Sequence, residues 1–364
     1  MSSFGDYVRS TRSGEDIQLV CVSLDKEGTG ATEWRTERDT GNTLLVYGGA
    51  LPDFGEVIRK ARYLDDVRDA YAPLTEAFRQ KLKEEAPDVV LVNGTYIVPW
   101  CLIMAARSLR LPVVLYYHGS LSKETEHWDD AAARRMLHRM EASFDRADIK
   151  YLFPSELIKE YVEQEVFCHP IYRNHAVVLP NPIPEAFFRA RRRTSKHRIG
   201  FIGRWTRIKN TAFLVRFVEI NRKAGEPFDI YVLTDPASRK NAVKILHDRV
   251  HFVRPRAHSR DLAAFYGRMS AVICPSHFET YGNVAQEAVA VGTPAYVSAN
   301  MGVAEVLRKV GLEELIVDFS KPREVFKALR DSEHVHISRT ARRALRKAAG
   351  APTVHKKLLD YLRV

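Results

Sequence analysis

The sequence has few cysteines and lacks the long apolar runs that anchor a chain in a membrane. Four cysteines occur in 364 residues, none of them in a C-x-x-C pair. Three lie in apolar runs, where a free thiol behaves as a small hydrophobic side chain. No run is long enough to cross a bilayer, and the first residues do not have the pattern of a signal peptide. We therefore expect a cytoplasmic protein in a reducing compartment.

Basic residues exceed acidic ones, and the formal net charge is +11. Much of the excess lies in two stretches, 189–198 and 339–357. Such charge suits nucleic acid, an anionic membrane or an acidic substrate. The sequence contains no zinc-ligand spacing and no RNA-binding aromatic signature, so we expect no nucleic-acid partner. Two alternatives stay open for the basic stretches: solvated surface, or peripheral contact with an anionic membrane at its inner face.

Apolar runs typical of buried strands alternate with helical patterns, which predicts an α/β fold with doubly wound parallel sheets. The length is sufficient for two such domains. A long helical region, 55–85, is predicted to break at Pro73. The clearest strand runs are IQLVCVSL (17–24), LLVYGG (44–49), DVVLVNG (88–94), PVVLYYHG (112–119), IGFIG (199–203), FDIYVLTD (228–235) and AVIC (271–274).

The segment 271–298 predicts a strand, a loop, a helix and a second strand, which form a parallel βαβ unit. Pro275 ends the first strand, and Asn283 is the predicted N-cap of the helix. Ligands of open parallel sheets bind beyond the carboxyl ends of the strands, where the loop 277–283 lies. The helix N-terminus offers backbone N–H groups, and Gly282 lets a ligand come close. A phosphate is therefore the expected group there.

Two glutamates flank this anion site. Glu279 precedes it, and Glu287 lies one helical turn inside the helix. A carboxylate beside a phosphate repels it, so both glutamates are expected to accept hydrogen bonds from hydroxyl groups, such as those of a sugar and a ribose. The structural alternative is a glutamate that only satisfies the helix dipole.

The pattern of Glu279, seven residues, Glu287 and then AVAVGTPAYVS resembles the donor-site signature of retaining glycosyltransferases of the GT-B fold, group 1 type. The resemblance implies two Rossmann-like domains with doubly wound parallel sheets that face a cleft. It implies a nucleotide diphosphate sugar as donor, UDP- or GDP-linked, and a hydroxyl of a glycan, lipid-linked or small-molecule acceptor. It implies no separate cofactor and a role in polysaccharide or glycolipid biosynthesis.

A second motif follows the strand IGFIG. Arg204 comes directly after Gly203, and Lys209 follows five residues later, just before a predicted helix that Asn210 and Thr211 can cap. Two cations at the carboxyl end of a parallel strand suit a diphosphate, although two exposed cations are the structural alternative. The motif resembles the family's GR…K sequence, whose residues bind the donor pyrophosphate.

The resemblance assigns further roles residue by residue. His118 ends the run PVVLYYHG and resembles the position that contacts the donor sugar, whereas a lone histidine is often structural. The expected catalytic residues are His118, Arg204, Lys209 and Glu279. The expected donor-binding residues are Gly203, Arg204, Lys209, Tyr281, Gly282, Asn283, Val284 and Glu287. No Asp-x-Asp motif occurs, so we expect a reaction without a bound metal.

The resemblance also predicts the domain limits: 1–185 for the first domain, 186–340 for the second, and 341–364 for a helix that returns to the first. One departure concerns the start of the chain. No strand precedes Ile17, so either EGTG (27–30) is the glycine-rich loop or the usual first strand and loop are missing; we favour the second. The alternatives to a glycosyltransferase are a GT-B binding protein without turnover, a sugar-nucleotide epimerase, a phosphorylase and a nucleic-acid binder.

Overall fold

The computed structural model describes Phe4, Val8 and residues 20–24, 34–39, 42–192, 197–247, 249–254, 258–331 and 335–363. Within these ranges the chain groups into two compact units. The first unit contains residues 1–116, 120–151 and 359–364, and the second contains 117–119 and 152–358. The sequence predicts the domain limit after residue 185, whereas in the structure residues 152–185 belong to the second compact unit. The loop 27–30 lies outside the described residues.

Parallel strand pairs occur in the first unit. Strand β1 (Val20–Leu24) pairs in parallel with β3 (Asn42–Tyr47), and β3 pairs on its other edge with β2 (Trp34–Asp39) in antiparallel. Strand β4 (Val90–Asn93) pairs in parallel with β5 (Val113–Tyr116). The strands are β1 (Val20–Leu24), β2 (Trp34–Asp39), β3 (Asn42–Tyr47), β4 (Val90–Asn93), β5 (Val113–Tyr116) and β6 (Ile149–Phe153), which ends in the second unit. The helices are α1 (Phe54–Lys60), α2 (Leu64–Ala70), α3 (Ala72–Glu85), α4 (Ile97–Ser108), α5 (Leu121–Thr125) and α6 (Ala131–Ala142).

The predicted break of the long helical region at Pro73 is wrong in position. The chain interrupts the helix before Leu64 and again at Tyr71, and Pro73 lies in the first turn of α3. A proline is tolerated there because the first N–H groups of a helix have no intrahelical acceptor.

The second unit is built on a five-stranded parallel sheet in the order β10–β9–β8–β11–β12. This is the 3-2-1-4-5 order of a doubly wound fold, and it confirms the predicted fold class. The interior strand β11 is buried along its whole length, as its unbroken apolar run AVIC predicts. The strands are β8 (Arg198–Ile202), β9 (Asp229–Leu233), β10 (His251–Val253), β11 (Ala271–Cys274) and β12 (Ala295–Val297), with β7 (Ala176–Val178) outside this sheet.

Helices follow the strands of the second unit in alternation. Helix α9 (Thr211–Lys223) begins after Asn210, whose Oδ1 accepts a hydrogen bond from the backbone N–H of Phe213 at 3.3 Å, as predicted for a cap. Its apolar face is buried in the core of the unit. The helices are α7 (Glu156–Tyr161), α8 (Glu185–Arg189), α9 (Thr211–Lys223), α10 (Pro236–Leu246), α11 (Ser259–Tyr266), α12 (Asn283–Val291), α13 (Val303–Lys309), α14 (Pro322–Asp331), α15 (Arg339–Ala349) and α16 (Ala351–Leu362).

The last helix, α16, begins in the second unit and ends in the first. Residues 359–363 group with the first unit, where Tyr361 Oη donates to the carbonyl of Tyr151 at 3.4 Å. The basic stretch that starts at Arg339 is helical, and Arg343 and Lys347 are exposed on α15. Contact of this surface with an anionic membrane stays a prediction. Among the described residues, no helix is both long and apolar enough to span a bilayer.

Candidate functional site

The loop after β8 carries the predicted cation motif. The backbone N–H of Gly203 donates to the carbonyl of Leu233 at the end of β9, at 3.1 Å, which fixes where the loop starts. Arg204 is exposed at the carboxyl edge of the sheet. Lys209 ends a short 3-10 turn, Arg207–Lys209, directly before α9. The two cations therefore lie in one loop at the carboxyl end of a central strand.

The loop after β11 meets this cation. Lys209 Nζ lies 2.8 Å from Glu279 Oε1, and each side chain is about one-fifth exposed. Ser276 Oγ donates to the same carboxylate oxygen at 2.5 Å. The strands β8 and β11 are neighbours in the sheet, so their two loops meet at one edge. The cation predicted for the diphosphate and the carboxylate predicted for sugar hydroxyls are thus in direct contact.

Gly282, and not Asn283, is the N-cap of α12, so the predicted cap residue is wrong by one position. Gly282 has φ of +118°, and a Cβ there would lie 2.8 Å from Met301 Cε and 2.9 Å from Val303 Cγ1. Only glycine combines this backbone angle with this space. Among the described residues no side chain caps the helix, so its first N–H groups point to the same edge of the sheet without a side-chain acceptor there.

The side chain of Asn283 serves a different purpose from the one predicted. Its Oδ1 accepts hydrogen bonds from Asn181 Nδ2 at 2.8 Å and from Gln286 Nε2 at 3.4 Å. Gln286 Oε1 in turn accepts from Tyr281 Oη at 2.8 Å. Tyr281 is buried, so its ring belongs to the core, and only its backbone can belong to the loop surface. Val284 is half-buried on the first turn of α12.

Glu287 is half-buried on α12 and accepts a hydrogen bond from Tyr266 Oη at 2.9 Å. Burial raises the pKa of Glu287 to about 7, and the hydrogen bond from Tyr266 opposes that rise. A buried carboxyl with one donor resists ionisation because its charge is poorly solvated. Near neutral pH this group can therefore change charge when a hydroxyl donor reaches it.

His118 belongs to the second unit, together with Tyr117 and Gly119. Burial lowers the pKa of His118 to about 4, so its imidazole is neutral at pH 7. Its backbone carbonyl accepts a hydrogen bond from Thr280 Oγ1 at 2.8 Å. Thr280 follows Glu279 directly, so the structure brings the predicted histidine to the predicted loop.

A pocket of about 410 Å³ lies beside this loop. Ser276 and Asn210 line it, which places it next to the Lys209–Glu279 pair, on the side of α9. None of the predicted donor-binding residues lines this pocket. In the described ranges no cluster of three His, Cys, Asp or Glu side chains could hold a metal ion, and independence from metal stays a prediction.

Several side chains that build the site belong to neither the glutamate pair nor the cation motif. They are Ser276, which bonds Glu279; Tyr266, which bonds Glu287; and the Asn181 and Gln286 amides around Asn283. Ser276 lies within the motif itself, three residues before Glu279, which is the only local hint. Asn181 and Tyr266 are distant in the sequence, and only the fold brings them in.

The parallel sheets, the glutamate pair and the cation loop are the features expected of a GT-B protein. Two family models match the chain: glycosyltransferase family 4 over residues 35–187 and glycosyl transferases group 1 over residues 196–332. The chain belongs to the group 1 glycosyltransferases, as the glutamate and cation motifs predict.

Known relatives agree with this assignment. Glycogen synthase of Mycobacterium tuberculosis is 27% identical over 233 residues, 61% of this chain and 54% of the relative. The chain thus spans about half the length of the curated relatives it matches.

Solved structures share the fold. Sucrose-phosphate synthase from Thermosynechococcus elongatus has a TM-score of 0.72 at 17% identity and covers 99% of this chain and 91% of its own. An alpha,alpha-trehalose-phosphate synthase from Burkholderia xenovorans has a TM-score of 0.68 at 13% identity and covers 100% of this chain and 96% of its own. At such identities the likeness establishes the GT-B fold.

Proposed function

We propose that the protein is a retaining glycosyltransferase that moves a hexose from a nucleotide diphosphate sugar to an acceptor hydroxyl without a bound metal. The observation that carries the proposal is the meeting of Lys209 with Glu279 at 2.8 Å beside the uncapped start of α12. A cation, a carboxylate and free backbone N–H groups there can serve a diphosphate and a sugar together.

The relatives support the class of substrate. One solved neighbour is a UDP-forming trehalose-phosphate synthase in complex with glucose-6-phosphate. Another solved neighbour is a trehalose-6-phosphate synthase studied for enzymatic glycosyl transfer with retention. A nucleotide diphosphate sugar as donor and transfer with retention are the corresponding proposals for this chain. Its acceptor is a hydroxyl of a glycan, a lipid-linked sugar or a small molecule such as a sugar phosphate.

The cations would stabilise charge on the leaving diphosphate. When the bond from the sugar to the β-phosphate breaks, negative charge grows on the phosphate oxygens. Lys209 has three N–H donors, so it can hold Glu279 and a phosphate oxygen at once. Arg204 adds a planar guanidinium that can bind two phosphate oxygens in parallel. The N–H groups of Gly282 to Val284 would add donors on the other side of the phosphate.

The two glutamates would bind different hydroxyl groups of the donor. Glu279, turned toward Lys209, would accept from sugar hydroxyls near the breaking bond. Glu287 would accept from the two ribose hydroxyls, which provide the donors that its carboxylate lacks apart from Tyr266. His118, neutral at pH 7, can donate or accept at a sugar hydroxyl.

The test is a panel of UDP-, GDP- and ADP-sugars with simple sugars and sugar phosphates as acceptors. We expect one nucleotide to raise the melting temperature and one donor to release nucleotide in the presence of an acceptor. The anomeric configuration of the product, read by NMR coupling constants, should match that of the donor. Added EDTA should leave the rate unchanged.

Two outcomes would contradict the proposal. Binding of nucleotide sugars without any release of nucleotide would favour a binding protein that has the fold but no turnover. A product with inverted anomeric configuration would refute retention while leaving transfer intact. Replacement of Lys223, an exposed lysine at the far end of α9, by alanine gives a charge-matched control for variants of Lys209.

A further inference from the structure

We propose that Thr280 is a positioning residue that fixes His118 beside Glu279. The inference rests on the proposed function, because it concerns the two residues expected to contact the donor sugar. Thr280 Oγ1 donates a hydrogen bond to the backbone carbonyl of His118 at 2.8 Å. Thr280 is also the residue after Glu279, so this single bond links the two expected sugar contacts across 162 positions of the sequence.

The backbone of Thr280 is held as firmly as its side chain. Its carbonyl accepts a hydrogen bond from Ser155 Oγ at 2.6 Å. Ser155 is almost fully buried and caps α7, where its Oγ accepts from the N–H of Ile158 at 3.4 Å. Thr280 is therefore bonded through its carbonyl to the start of one helix and through its hydroxyl to the His118 peptide.

The neighbours of this contact leave no room for adjustment. A Cβ on Gly302 would collide with Ser155 Oγ and would lie 2.5 Å from the carbonyl oxygen of Thr280. The N–H of Gly302 also donates to the carbonyl of Glu279 at 3.1 Å. Glu305 accepts from the N–H groups of Glu156 and Leu157 at 3.0 and 2.7 Å, so it fixes the helix that Ser155 caps. Glu305 therefore has a structural role.

The consequence for the reaction is specific. The imidazole of His118 is neutral at pH 7, so its contribution depends on direction and distance, which its peptide sets. Without the Thr280 hydroxyl, the His118 carbonyl loses a donor that fixes the peptide plane. The effect should fall on the sugar in the transition state and spare the nucleotide, because the phosphate and ribose contacts belong to Lys209, Arg204 and Glu287.

The experiment compares Thr280→Val, which keeps the shape and removes the hydroxyl, with Thr280→Ser, which keeps the hydroxyl. For the donor identified in the panel, we expect kcat to fall about tenfold in the valine variant. The serine variant should stay within about twofold of the unchanged protein, and the Kd for free nucleotide should change less than about twofold in both. Ser270→Ala is the control: it removes a hydroxyl that donates to the carbonyl of Arg198 at 2.8 Å, at the opposite end of β8.

Three results would overturn the inference. One is an unchanged kcat in the valine variant. Another is a loss of nucleotide affinity that equals the loss in kcat, which would mean general damage to the site. The third is a serine variant as impaired as the valine variant, which would show that the hydroxyl is not the cause.

A readout without turnover separates this inference from the proposed function. The imidazole signals of His118 can be assigned by NMR through their absence in His118→Gln. We expect them to shift in Thr280→Val and to keep their positions in Thr280→Ser and in Ser270→Ala. If the protein transfers no sugar yet these shifts occur, the function is refuted and the positioning stands. If the His118 signals do not move in Thr280→Val, the positioning is refuted.

Discussion

Glu279 and Glu287 lie on one loop–helix segment, and the second unit gives them opposite surroundings. Glu279 contacts a cation and a hydroxyl, Lys209 Nζ at 2.8 Å and Ser276 Oγ at 2.5 Å. Glu287 contacts the hydroxyl of Tyr266, and burial raises its pKa to about 7. The loop contributes Glu279 and the first turns of the helix contribute Glu287, whereas Lys209 and Tyr266, both distant in sequence, set the chemistry of each carboxyl group. The difference predicts that each glutamate responds to its own kind of perturbation.

The largest expected effect is that of Glu279→Gln. Removal of a charged hydrogen-bond partner costs about 1.5–3 kcal/mol, or roughly a tenfold to hundredfold loss in turnover of the donor. Affinity for free nucleotide should hardly change, since Glu279 is assigned to the sugar. Single-turnover rates and calorimetry with nucleotide measure the two quantities. Glu324→Gln, at an exposed glutamate of α14, serves as control. Equal losses in nucleotide and donor binding in Glu279→Gln would contradict the assignment of Glu279 to the sugar.

Loss of the cations should come next. Arg204→Ala and Lys209→Ala should each weaken nucleotide diphosphate binding about tenfold, the lower end of the range for charge-assisted bonds, because both side chains remain partly solvated. Lys209→Ala should also impair turnover, since Glu279 loses its partner, whereas the pH dependence set by Glu287 should persist. Isothermal titration with nucleoside diphosphate and monophosphate checks this. Unchanged affinity for the diphosphate in both variants would remove the cations from the site.

The pKa of Glu287 predicts a pH dependence with a definite sign. Ribose hydroxyls donate to the ionised carboxyl, so nucleotide affinity should rise roughly tenfold between pH 6 and pH 8 and then level off. The unfolding free energy of the nucleotide-free protein depends on pH with the opposite sign. The folded protein holds this proton more tightly than the unfolded chain, so its unfolding free energy falls as pH rises from about 4.5 to about 7. In Glu287→Gln both dependences should vanish, as melting temperatures and nucleotide titrations across this range would reveal.

The smallest effect is expected for Tyr266→Phe, which tests how much the hydrogen bond from Tyr266 contributes to the behaviour of Glu287. The variant removes the only donor to Glu287 that is identified in the described structure, at a cost of about 0.5–1.5 kcal/mol. The midpoint of the pH dependence should move upward, because the hydrogen bond favours the ionised carboxyl. Turnover at saturating donor and high pH should be retained. A midpoint that stays in place would show that burial alone controls Glu287.

The sequence predicts the second unit better than any other part of the chain. The run AVIC contains no polar residue and forms the buried strand β11, as predicted. Asn210 caps α9, also as predicted. Such features are decided by neighbours in the chain, so local patterns suffice. Gly282, rather than Asn283, is the cap, and the space that excludes a side chain there is limited by Met301 and Val303, which lie outside the local sequence pattern.

The site is predictable in position and only partly in chemistry. The motifs indicate where Lys209 and Glu279 lie, because the carboxyl ends of adjacent parallel strands share an edge. The raised pKa of Glu287 depends on burial and on Tyr266, and the bond from Thr280 to His118 joins two distant segments. Neither the raised pKa nor this hydrogen bond produces a recognisable pattern in the sequence, because each depends on how the folded unit packs.

The second unit is assembled from two separate stretches, 117–119 and 152–358, and this matters for anyone who recombines such genes. A fragment limited to 152–358 would contain every predicted donor-binding residue. It would lack the Tyr117 N–H that donates to the Leu152 carbonyl at 2.8 Å, and the His118 carbonyl that Thr280 holds. A chimera that keeps both units intact needs junctions after residues 116, 119, 151 and 358. Residues 117–119 must then come from the same parent protein as residues 152–358.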